Sequence, residues 1–63
     1  MNPEKQTQVR ERFNRDVKYL INEGYSKTEA TKTVSRELKA ELLDEGLKND
    51  VVNELIKNAQ RRN

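Results

Sequence analysis

The chain contains two glycines, and both stand at the same point of nearly the same phrase: LINEGY at Leu20–Tyr25 and LLDEGL at Leu42–Leu47. A glycine just past the last turn of a helix takes the left-handed conformation cheaply, because it has no Cβ to clash. The residue after it commonly folds back on that turn. Tyr25 is placed to meet Leu20 across Gly24, and Leu47 to meet Leu42 across Gly46. Two stops of this kind divide a 63-residue chain into three helices.

The expected starts agree with the stops. Asn2-Pro3 sets a capping residue before a proline at the first helical position. Ser26 and Glu29 have the spacing of a capping box, with Tyr25 and Ala30 as a small hydrophobic staple around it. Asn49 or Asp50 is the expected cap of the last helix. The chain therefore reads as helices over about 3–23, 27–45 and 50–61. Val9, Phe13, Val17, Leu20 and Ile21 share one face of the first helix. Ala30, Val34, Leu38 and Leu42 form a narrower stripe on the second, and Val51, Val52, Leu55, Ile56 and Ala59 one on the third. Short connections make neighbours antiparallel. The expectation is an all-α chain, a small antiparallel three-helix bundle in a single domain, with a core so small that self-association into a homodimer would add burial.

Composition excludes much chemistry. With no cysteine there are no disulfides or thiolate metal sites, and with no histidine the commonest general base and transition-metal ligand are missing. Neither a Gly-rich phosphate loop, an EF-hand nor a nucleophile elbow is present. The carboxylates fall at intervals that suit solvated helix faces, such as Glu11 with Arg15 and Arg12 with Asp16. A bundle this thin has no place for a water-excluding pocket. The chain is expected to be no enzyme and to need neither cofactor nor metal. No apolar run is long enough to span a membrane. The polar start MNPEKQTQ reads as an intact cytoplasmic product.

Three features offer a contact surface. Arg12, Arg15 and Tyr19 share an outward face of the first helix, and Tyr and Arg dominate interface energetics. The plainer reading lays Tyr19 over a third-helix side chain or on Arg15. Leu43 turns outward beside Ala40, open to a partner or a second copy, unless it tucks under the Gly46–Leu47 loop. The net charge is +2, with Arg10, Arg12, Arg15 and Lys18 in the first helix and Lys57, Arg61 and Arg62 near the end. Helices one and three in contact would merge these into a basic stripe for a nucleic-acid backbone.

Two families share phrases with the chain. GYSKTEATKTVSRELKAELL begins like a helix-turn-helix reader but departs after Ala30, where no turn residue follows. With the Gly24 turn as the joint instead, the long second helix has a nearly neutral outer face. LINEGYSKTEATKTV resembles the first loop of ubiquitin-associated domains. Gly24, Tyr25, Ser26 and Ala30 stand in the roles of glycine, aromatic, polar cap and the alanine entering helix two, and DVVNELI is similar to their third helix. The second helix is several residues longer than theirs, and ubiquitin binding is not carried over. The functional expectation is a small protein that binds another protein as an inhibitor, adaptor or accessory factor. Size and a Lys/Asn-rich composition suggest a bacterium, phage or mobile element as its setting. The alternative is nucleic-acid binding through the basic residues.

Overall fold

The computed structural model describes residues 3–61. Three helices follow in order: α1 (Pro3–Asn22), α2 (Lys27–Asp44) and α3 (Asn49–Gln60). Every pair of helices is in contact, so the chain is an all-α three-helix bundle. The expected cap at Asn2 lies outside the described residues.

Both glycines end helices as the repeated phrase requires. Gly24 has φ +108° and Gly46 φ +97°. At the first, the Tyr25 N–H donates to the Leu20 carbonyl (3.0 Å) and the Gly24 N–H to that of Ile21 (3.1 Å). At the second, the Leu47 N–H donates to Leu42 (3.3 Å) and Gly46 to Leu43 (3.0 Å). Each is the paired bonding of a Schellman cap. A Cβ added at Gly46 would meet nothing within 4 Å. The glycine is therefore required by backbone conformation alone. Gly46→Val should cost about 1–2 kcal/mol of left-handed strain, read as a lower thermal midpoint. An unchanged midpoint would mean that α2 does not stop there.

The start of α2 forms as expected in its Ser26 half: the Glu29 N–H donates to Ser26 Oγ at 3.1 Å. The start of α3 does not. Neither Asn49 nor Asp50 caps it. Asn49 is already helical, and extended Lys48 (φ −72°, ψ 150°) holds the cap position with no side-chain hydrogen bond. Leu47 explains the early start. It is half-buried against the core directly after Gly46, which leaves a single residue to turn the chain before the Val52 N–H reaches the Lys48 carbonyl (3.0 Å).

The core is built from Val9, Phe13 and Val17 of α1, Ala30, Val34, Leu38 and Leu42 of α2, and Val52, Leu55, Ile56 and Ala59 of α3. Leu20, Leu47 and Val51 pack against it, half-buried. Ile21 departs from the expected stripe and is 42% exposed. At 100° per residue it lies about 80° round from Phe13, at the edge of the face. Nothing from α3 covers that edge, because α3 is too short. Its 12 residues reach about 18 Å, against about 30 Å for the 20 of α1. Gln60, its last residue, donates to Ser35 Oγ (2.7 Å) midway along α2. The first turns of α2 and the last of α1 extend past it as a two-helix hairpin. The caps differ for the same reason: Leu47 is covered, while Tyr25 remains 47% exposed.

Candidate functional site

Ionic contacts sort the charges of the bundle. On the α1–α2 seam, Lys5 Nζ meets Glu45 Oε1 at 2.9 Å and the Arg12 guanidinium bonds Glu41. These pairs follow from the antiparallel packing of α1 and α2, in which the start of one helix meets the end of the other. Arg12 also meets Asp16 at 3.7 Å, as its spacing predicts, whereas Arg15 pairs with Asp16 (3.6 Å) rather than with Glu11. Such exposed pairs contribute little to stability, because water screens them.

Arg12 is thus engaged across the seam, while its expected companions stay outside. The Arg15 side chain is 75% exposed and Tyr19 is 62% exposed. Its exposure leaves Tyr19 uncovered by α3, and the plainer reading is left with Arg15 as the neighbour of Tyr19 in solvent. Leu43 is 39% exposed in the last turn of α2, at the opposite end of the seam from Tyr19. The four expected partner-binding residues therefore do not form one patch.

The basic residues are also divided. Arg12 faces α2, Arg15 faces outward, and Arg10 and Lys18 lie on the other flank of α1. Arg10 is half-buried. Lys57 and Arg61 line a shallow hollow with Gln6, Glu54 and Asn58, so a carboxylate lies among them. Arg62 lies outside the described residues. The exposed side of α2 is mixed in charge, close to the neutral face expected: Glu29, Glu37 and Asp44 are exposed on it along with three cations. Those cations are Lys32, Arg36 and Lys39, while Glu41 and Glu45 meet cations of α1 across the seam.

The Arg12–Glu41 pair shifts both partners. The hydrogen bond to Glu41 raises the Arg12 guanidinium above its ordinary value, helped by the charges of Glu41 and Asp16. The same bond lowers the Glu41 carboxyl, helped by the charges of Arg12 and Lys5. A carboxyl with a lowered folded pKa stabilises the fold above its unfolded value, about 4.3, and loses that contribution as pH falls through the folded value. The thermal midpoint of the wild-type protein should therefore drop more in acid than that of Glu41→Gln. Parallel pH profiles for the two would show that the pair adds nothing to stability. Arg12, with its pKa raised, keeps its contribution throughout this range.

Three large apolar side chains are exposed at the hairpin end: Tyr19, Ile21 and Tyr25. Sequence reasoning singled out Tyr19 alone. The signal for Ile21 was its place at the edge of the α1 stripe, but only the length of α3 shows that the edge is bare. Between Ile21 and the start of α2 lies an open groove of about 370 Å³, lined by Asn14, Val17, Lys18, Ile21 and Lys27. A second, smaller recess of about 170 Å³ follows the Lys5 and Arg12 pairs on the α1–α2 seam. No group of three or more metal-ligating side chains is gathered among the described residues. None of the described helices is long and apolar enough to cross a membrane.

Fold and surface together define a small helical bundle with one incompletely covered end. Comparison with protein-family models, curated proteins and solved structures finds no match to the chain.

Proposed function

We propose that the chain is a non-enzymatic, cytoplasmic protein that acts by binding another protein through the end where α1 turns into α2. One observation carries this reading: of the four large apolar side chains left exposed, Tyr19, Ile21 and Tyr25 lie at that end. Single exposed apolar residues are ordinary on a surface, and Tyr19 and Ile21 lie on opposite flanks of α1. The support for the reading is that three such side chains share one end of the bundle. Arg15 beside Tyr19 adds the second residue type favoured at binding hot spots. Capture of a partner from native lysate, repeated with Arg15→Ala, Tyr19→Ala, tests the reading. Retention of the same partner by that variant at wild-type level would overturn the part given to Tyr19.

A second reading is nucleic-acid binding, for which Lys32, Arg36 and Lys39 are exposed cations of α2, interleaved with the exposed carboxylates Glu29, Glu37 and Asp44. A mobility-shift titration separates the two. Contacts from Lys32, Arg36 and Lys39 to three phosphates should lose about 40-fold in affinity between about 50 and 200 mM salt, while an apolar protein contact should lose little. Leu43 leaves room for self-association at the opposite end. Light scattering should then show a mass that rises with concentration, and a constant monomer mass would remove that possibility.

A further inference from the structure

The groove beside Ile21 has a shape and a charge that together specify an occupant. Its floor is apolar, made by Val17 and Ile21, and its lining carries two cations, Lys18 and Lys27, with one amide, Asn14. No carboxylate lines it, and among the described residues none of α3 reaches it. It lies past Gln60, in the space beside the α1–α2 hairpin that α3 fills lower in the bundle. The part of α2 that extends beyond Ser35 is about 12 Å long, or roughly two helical turns.

We propose that this groove receives an acidic amphipathic helix of a partner protein, which completes the bundle where α3 stops. The inference rests on the protein-binding reading and names the partner's chemistry. A helix fits because the groove continues a three-helix packing geometry, and its apolar positions at i, i+4 and i+7 would meet Val17 and Ile21. Glutamate or aspartate beside those positions would meet Lys18 and Lys27, one on each helix of the hairpin. A nucleic-acid strand fits less well: two cations supply few phosphate contacts, and the aliphatic floor offers no aromatic platform for a base.

The probe is a labelled helical peptide of about 14 residues, four turns, with leucines at the apolar positions and glutamates beside them. Its twin has lysine at every glutamate. Fluorescence anisotropy at low salt should show the acidic peptide binding at least about tenfold more tightly than its twin, since two exposed ion pairs become two repulsions. Lys18→Glu, Lys27→Glu should invert that preference, and Ile21→Asp should abolish binding of both. All three positions are exposed, so circular dichroism should confirm intact folding. Amide shifts should map to residues 14–27. Arg15→Ala, Tyr19→Ala lies on the other flank of α1 and should bind the peptide as the wild-type protein does. Equal binding of the twins, no binding, or binding retained by a folded Ile21→Asp would overturn the groove assignment. If the peptide fails while partner capture still depends on Tyr19, protein binding stands and only the groove is lost. If both fail, the protein-binding reading falls as well.

Discussion

Phe13→Ala should destabilise the protein by about 3–5 kcal/mol, the usual cost of emptying a buried aromatic site. Phe13 is the only phenylalanine and is fully buried at the centre of the α1 stripe. A chain of 63 residues is stable by about 3–9 kcal/mol on the usual per-residue scale. The loss is thus a large share of the total, and the variant should be partly unfolded at room temperature. Urea titration followed by far-ultraviolet circular dichroism would measure it. Phe13→Leu keeps most of the volume and should cost less than about 1.5 kcal/mol. A loss below about 1 kcal/mol for the alanine variant would show that the three helices collapse around the missing ring, and that the core is less specific than its packing implies.

Arg15→Ala, Tyr19→Ala should leave folding intact and weaken partner binding by about 2 kcal/mol or more, roughly 30-fold. Both side chains are mostly exposed, and neither belongs to the core. Surface changes of this kind alter stability by less than about 0.5 kcal/mol. Arg12 is kept out of the pair because it binds Glu41, so its removal would mix a stability effect with a binding one. Isothermal titration with the captured partner would give the affinity, and thermal melting the stability. Unfolding of the variant would mean that Tyr19 supports the bundle despite its exposure. Wild-type affinity in a folded variant would move the working surface to the Ile21 flank or to Leu43.

Much of the architecture was legible because helix period and helix stops are local. Val9, Phe13 and Val17 repeat every four residues, and so do Ala30, Val34, Leu38 and Leu42, which places each set on one face without reference to a neighbour. Gly24 and Gly46 act through their own backbone angles, so their meaning could be read in place. The cap of α3 was less legible. Asn49 and Asp50 are good capping residues, but Leu47 docks on the core and pulls the chain into helix one residue earlier. The candidate site was legible only at Tyr19, whose angular position on α1 already turned it away from the core.

The sequence by itself determined three amphipathic helices, their two stops, most of the side chains that form the core, and the absence of histidine and cysteine chemistry. Each of these depends on residue type and on spacings within a turn or two. Tertiary structure alone decided which charges remain available and which apolar edges remain bare. Arg12 and Arg15 look alike along α1, yet Arg12 meets Glu41 of α2 while Arg15 stays in solvent. Glu41 and Glu45 look like Glu37 along α2, yet they meet Arg12 and Lys5 of α1 while Glu37 stays exposed. Ile21 looks like core until α3 ends at the level of Ser35 and leaves the last turns of α1 without a third helix. Pairing and coverage depend on where a neighbouring helix lies and how far it reaches, and neither is written in the residues they affect.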